Sequence, residues 1–379
     1  MASVEKYLEA RIASNREFET TWDEIRSLYE QKLWHQITNL LLENLKNPLF
    51  QSKHDLKEMY DCFVSTLSTR MKPLSLVEIS VFISEYIVKS NPKEAVEFMK
   101  KIKEIIAEDN DSTILCDIVI GMIQLKALKD LPASREIVED LSDKISQIDG
   151  VTTIHSRYYQ LSAMYYQQLG KHADYYREGL KYLGCANLES LSLEERQNWA
   201  FSIGLAALLG EGIYNFGELL THEIFETLRS SSNVWLVDLM QGLSHGELKK
   251  LDDLAPKWKA QHDLKQAEAQ IMEKATVLCL IELVFRRPLN KRTLTFEEIS
   301  KATRVPIDRV EYLLMRALAL HLMEGRIDEI NKTVSITWLQ PRVLDYEQIE
   351  SMYKQLGDWC GKVTDMRSLV EVDSRTILT

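Results

Sequence analysis

From about Phe18 to Lys274 apolar residues recur at helical spacing in segments of about 10 to 20 residues, with few period-two runs. This pattern predicts an antiparallel array of helix pairs. Breaks are expected near Asn47-Pro48, Lys72-Pro73, Asn91-Pro92, Leu131-Pro132, Asp149-Gly150, Gly170, Gly184 and the glycine run from Gly210 to Gly217. They lie about 20 to 40 residues apart, as in repeats where each helix pair stacks on the next. The clearest unit runs from Tyr158 to Gly184. There Leu161, Tyr165, Leu169, Ala173, Tyr176 and Leu180 flank a Leu169-Gly170 turn in the manner of a tetratricopeptide (TPR) helix pair.

The pattern changes after Arg292. Leu294 to Phe296 reads as a short strand, and Thr295 with Glu298 has the spacing of a capping box for a helix through about Thr303. Pro306 then sits at a helix start. Ile307, Val310, Leu313, Leu314, Ala317, Leu318 and Leu320 recur at helical spacing up to Gly325, the expected stop. Arg326 to Ile330 and Val334 to Leu339 read as two strands joined at Asn331-Lys332. Together these elements predict a winged helix. Val334, Ile336 and Trp338 would share one side of the second strand, either packing on the module's own core or flanking an edge that accepts a neighbour's strand.

A third pattern follows Pro341. Ile349, Met352, Leu356, Trp359, Val363, Met366 and Val370 are spaced 3, 4, 3, 4, 3, 4, a heptad seam. A lone helix would leave this stripe in water, so the seam either folds back on the helical array or joins a bundle with other chains. The segmentation is therefore residues 1–274 as the repeat region, 275–343 as the winged helix and 344–379 as an assembly helix.

Charge decides what the winged helix can do. Duplex binding relies on Lys and Arg neutralising phosphate. From Arg292 to Gln340 the basic residues Arg292, Lys301, Arg304, Arg309, Arg316, Arg326 and Lys332 are matched by Glu297, Glu298, Asp308, Glu311, Glu324, Asp328 and Glu329. The formal charge of the whole chain is −11, which argues against nucleic acid or an anionic membrane as partner. With 45% hydrophobic and 27% charged residues, the composition is that of an ordered, helix-rich protein. No window reaches the roughly 18 uninterrupted apolar residues of a membrane span, since Glu282 breaks the best one, and the N-terminus lacks the apolar run of a signal peptide. Cys62, Cys116, Cys185, Cys279 and Cys360 are far apart and read as reduced core thiols of an intracellular protein.

Catalytic patterns are missing. His222-Glu223 opens like a zinc helix but has Glu226 where the second ligand belongs, and neither Gly170-Lys171 nor Gly361-Lys362 has a P-loop glycine five residues upstream. The glycine run at 210–217 follows a helical pattern rather than a strand, so it reads as a helix stop and tight connection, not a pyrophosphate cradle. No cofactor or metal is expected.

A helical solenoid, a neutral winged helix and a heptad helix in that order resemble the PCI architecture, shared by subunits of the proteasome lid, the COP9 signalosome and a translation initiation factor. Lys72 to Ile79, Gly150 to Tyr158, Gly204 to Leu220, Leu294 to Ile299 and Trp338 to Leu344 resemble the proteasome-lid branch, with the likeness spanning about Trp22 to the C-terminus. The resemblance implies a mainly α fold and a non-catalytic scaffold in the cytoplasm and nucleus. In such lids the winged helices line up edge to edge and the C-terminal helices gather in a bundle beside a metalloprotease subunit. Its implied partners are other lid subunits, met through the winged helix and the C-terminal helix, and a neighbouring ubiquitin receptor. The branches for the signalosome and the initiation factor, and a winged-helix nucleic-acid binder, are the alternatives.

Overall fold

Proline and capping residues set several helix starts in the computed structural model, which describes residues 7–9, 11–12, 18–47, 50, 55–107, 109–148, 150–187, 191–287, 292–344 and 346–377. Its contacts divide the chain into two units, Met1–Ala186 and Asn187–Thr379. The expected breaks at Pro48 and Asp149 lie outside the described residues.

In the first unit α1 (Glu19–Glu30) and α2 (Trp34–Leu45) are followed by a helical stretch at 56–67 that contains a π-type turn, Tyr60–Val64. Then come α3 (Pro73–Val88), α4 (Pro92–Ile105), α5 (Asn110–Ile123), α6 (Leu131–Ile145), α7 (Thr153–Leu169) and α8 (His172–Cys185). Pro73 and Pro92 occupy first helical positions, where no N–H is needed, and Asp130 caps α6 by accepting from the Ala133 N–H at 3.3 Å. Each helix packs mainly on its neighbours in sequence, and α7 with α8 forms the tightest pair. Gly170 ends α7 at φ 75°, the left-handed turn that glycine adopts without steric cost.

The centre of this unit is α5. Leu115, Cys116, Val119, Ile120 and Ile123 belong to one buried cluster, Ile114 and Ile118 to another. A Cβ on Gly121 would lie 2.9 Å from Leu161 Cδ2, so the missing side chain sets how closely α7 approaches. Burial pushes the Cys116 thiol up to about 12, which keeps it protonated and inert. Cys279 is also buried, whereas Cys360 is exposed on a solvent-facing helix rather than in a core. That corrects the expectation for this cysteine, because its apolar neighbours form a stripe that stays exposed among the described residues.

The second unit opens with α9 (Leu193–Leu209), which starts at a Ser192–Glu195 capping box. Short helical turns at Gly217–Thr221 and Glu223–Arg229 lead to α10 (Val234–Ser244), and α11 (Glu268–Phe285) leads into the winged helix. That module comprises β1 (Thr293–Thr295), α12 (Phe296–Thr303), α13 (Ile307–Ala319), β2 (Met323–Asp328) and β3 (Thr333–Leu339). α14 (Tyr346–Ile377) follows. Among the described residues no helix is long and apolar enough to cross a membrane.

Candidate partner-binding surfaces

The winged helix forms as the local signals indicate, with informative departures. Thr295 and Glu298 make the capping box, Glu298 N–H donating to Thr295 Oγ1 at 3.3 Å and Thr295 N–H to Glu298 Oε2 at 3.2 Å. Helix α13 stops at Ala319 rather than near Gly325, because His321 takes the left-handed conformation at φ 54°. Gly325 instead sits where β3 bulges, the register passing from Gly325↔Ile336 to Glu324↔Trp338 with Thr337 as the extra residue, and a Cβ on Gly325 would lie 2.5 Å from the Ser335 carbonyl. The hairpin turn also shifts. β2 ends at Asp328, whose carboxylate accepts from the Asn331 N–H and side chain, and Lys332 takes a positive φ.

Strand order corrects the proposed docking edge. The order is β1-β3-β2, with β1 pairing antiparallel to β3 through Leu294↔Val334. β3 is central: β1 flanks it from Thr333 to Ser335 and β2 along its whole length, so the sheet's outer strands are β1 and β2. Of the three residues expected on the shared face, Val334 (1% exposed) and Ile336 (5%) pack in the module's own core with Phe296, Ile299, Val310 and Leu314. Trp338 lies opposite Glu324 and remains 41% exposed.

The charges on this module are partly committed. Arg304 reaches Asp252 at 2.6 Å and Arg316 pairs with Glu273, so one basic group before α13 and one on it already face carboxylates. Tyr312 and Met315 are exposed on that helix. A face with paired cations and exposed apolar side chains suits protein better than phosphate.

The C-terminal helix carries a long exposed apolar stripe. α14 is 32 residues long, about 48 Å at the usual rise. Ile349, Met352, Leu356, Trp359, Val363, Met366 and Val370 are all 46–67% exposed, and Tyr353 and Leu369 extend the apolar surface. The fold-back alternative is thus absent among the described residues of this unit.

Two buried polar clusters are not evident from local pattern, and the first lies where α14 departs. Arg342, just past β3, donates to Glu282 Oε2 at 2.6 Å and to the Ser244 carbonyl at 2.7 Å, with its guanidinium 5.5 Å from the Phe285 ring centre. Glu282, which breaks the apolar run of α11, also accepts from Arg286 Nε at 3.0 Å. Next to this clamp Val343 lies against Gly217, where a Cβ would come within 2.6 Å of Val343 Cβ. The second cluster is Lys274, 7% exposed, whose ammonium donates to the carbonyls of Ala207, Leu208 and Gly210 at 2.8, 3.1 and 2.7 Å. It closes the C-terminal end of α9, where helix carbonyls lack partners. Desolvation lowers its pKa to about 7. The glycine run is accordingly a helix end and connection held by a lysine. A cavity of about 460 Å³, lined in part by Phe216, Leu278, Arg229, Val343 and Ile349, opens at the foot of α14.

His222, the zinc-like histidine, caps a helix by accepting from the Ile224 N–H at 3.3 Å. Among the described residues no group of three or more His, Cys, Asp or Glu could hold a metal.

Residues 21–240 match the PSD13 N-terminal repeats and residues 251–338 match the PCI domain. The chain is 33% identical to 26S proteasome non-ATPase regulatory subunit 13 homolog B of Arabidopsis thaliana, covering 98% of this chain and 97% of the relative. It is 35% identical to the probable 26S proteasome regulatory subunit rpn9 of Schizosaccharomyces pombe over 93% and 92% of the two chains. It is 31% identical to 26S proteasome regulatory subunit RPN9 of Saccharomyces cerevisiae over 97% and 96%.

Proposed function

We infer the function from a premise that is shown: this chain belongs to the family of 26S proteasome non-ATPase regulatory subunit 13, a non-catalytic class of PCI-domain subunits. Its proposed role is that of a structural subunit of the regulatory-particle lid, supporting lid assembly and so the ATP-dependent degradation of ubiquitinated proteins in cytoplasm and nucleus. Other lid subunits are the proposed partners, met through Trp338 beside the outer strand β2 and through the stripe from Ile349 to Val370. Val334 and Ile336 would act indirectly, by holding β3 and Trp338 in place. A neighbouring ubiquitin receptor is a further proposed contact.

The observation that carries the reading is the uncovered seam of α14. Seven large apolar side chains in water are costly, and burying them against other helices would yield on the order of 10 kcal/mol before association costs. Their period of 3.5 is that of helices which supercoil in company. The division of labour proposed here gives the repeats in 1–274 a spacing role, the winged helix at 275–343 an edge contact and residues 344–379 the bundle contact.

The test is a chain ending at Leu344, which keeps the Arg342 and Val343 anchorage but loses α14. It should retain wild-type helicity per residue and cooperative melting, yet fail to co-purify with other lid subunits at stoichiometric yield. Normal incorporation would sink the role given to α14.

A further inference from the structure

In the first unit a groove forms where the α1–α2 turn meets the start of α3, with a cavity of about 470 Å³. That size lies within the range of ligand and peptide sites. Its lining includes Lys32, His35, Arg70 and Lys72 and contains no carboxylate, in a chain where acids outnumber Lys and Arg by 57 to 46. Lys32, Arg70 and Lys72 are exposed, and among the described residues none of them is paired with Asp or Glu. Positive charge is thus concentrated here and left uncompensated.

The backbone adds to it. α2 and α3 both begin at this groove, their N-cap residues being Leu33 and Lys72, and neither cap supplies a side-chain acceptor. Neither first turn holds an acidic residue, in contrast with α4, α5 and α9. The positive ends of two helices of 12 and 16 residues therefore face the cationic side chains without internal neutralisation. The floor is apolar. Met71 is buried, Leu33 is 39% exposed and Trp34 is half-buried, with the Arg70 guanidinium 4.9 Å from the Trp34 ring centre.

We propose that this groove docks an acidic segment of another protein, carboxylates meeting Lys32, Arg70 and Lys72 while one aliphatic or aromatic side chain seats on Leu33, Trp34 and Met71. Charge complementarity selects the acid, and the apolar floor selects a polypeptide over a bare phosphate. Single-stranded nucleic acid fits less well, because the aromatic face that a base would stack on already carries Arg70. A long polyanion would also meet the overall charge of −11, whereas a short acidic segment samples mainly the local field. This proposal does not depend on the role given to α14.

The experiment is fluorescence anisotropy with the full chain and three labelled probes: a short peptide alternating glutamate with leucine, its glutamine–leucine counterpart, and oligodeoxythymidine. The glutamate peptide should bind with an affinity that falls as salt rises, and the glutamine peptide should bind about tenfold more weakly or worse. Arg70→Glu combined with Lys72→Glu should weaken glutamate-peptide binding by about tenfold or more at an unchanged urea midpoint. Lys301→Glu combined with Arg326→Glu, the same change of net charge on the winged helix, should leave binding within about twofold. The proposal is overturned by no detectable binding of the glutamate peptide at about 1 mM chain. Equal binding to the Arg70/Lys72 double variant, or tighter binding of the oligonucleotide, would overturn it as well.

Discussion

Helices α5 and α14 both carry a row of large apolar side chains and meet opposite fates. In α5 the residues Ile114, Leu115, Ile118, Val119 and Ile123 are buried between two clusters of the same unit, so its own chain covers both faces. In α14 the seam from Ile349 to Val370 stands in solvent, held at one end by the anchorage of residues 341–344. Apolar content alone does not separate a core helix from an interface helix. What separates them is periodicity and packing: α5 is apolar around its circumference and flanked by helices on either side in sequence, whereas α14 has one stripe and a charged opposite face, and among the described residues the stripe stays exposed.

The comparison breaks most sharply under a buried charge. Ile118→Asp puts a carboxylate at a fully buried position without a partner, and destabilisation of at least about 4 kcal/mol is expected. Urea denaturation of the isolated chain measures it; a loss below about 1 kcal/mol would mean that α5 is not a shared core helix. Somewhat smaller is the effect expected of Arg342→Ala. It leaves Glu282, whose side chain is 6% exposed, facing Arg286 alone and frees the Ser244 carbonyl, at a cost of about 3 kcal/mol. Because Arg342 anchors the segment that precedes α14, this variant should also loosen the helix origin, read as faster amide exchange at the start of α14.

A third effect depends on pH. Burial holds the Lys274 pKa at about 7, below the unfolded value, so between these values the unfolded chain binds the proton and the folded chain does not. Stability then rises as pH climbs from about 7 toward 10, by up to about 1.4 kcal/mol per unit, and is lowest below pH 7. Lys274→Met should flatten that slope in urea melts at pH 7 and pH 9. An identical slope in wild type and variant would show that the three carbonyls hold the ammonium charged across the range.

These clusters mark where sequence reading stops. The helix pairs, the Thr295 capping box and the heptad seam were legible because each is written within a few turns of chain, and the β2–β3 hairpin nearly so. The place of β1 beside β3 was not, since Leu294 pairs with Val334 across 40 positions and no local pattern encodes that crossing. Glu282 was visible as a break in an apolar run, but its partner lies 60 residues away, and Lys274 meets carbonyls more than 60 residues distant. Of the candidate site, the α14 residues were legible as a stripe. Val334 and Ile336 were not separable from Trp338, because alternation assigns all three to one face and only the packed module shows which of them the core covers.

The smallest expected change in stability is the one that sharpens the comparison most. Leu356→Asp combined with Met366→Asp places two charges in the middle of the α14 stripe, at positions that are 55% and 67% exposed. Nothing among the described residues packs there, so the isolated chain should unfold within about 0.5 kcal/mol of wild type, as surface substitutions do. The same two charges set into a helix bundle would be desolvated without partners, at a penalty of several kcal/mol. Incorporation into the lid should therefore fall by an order of magnitude or more while the urea midpoint stays put, which pull-down of the tagged chain would read directly. If the midpoint drops instead, the stripe is covered within the chain, and α14 belongs with α5. If neither changes, the seam contacts no partner and assembly runs through the winged helix alone.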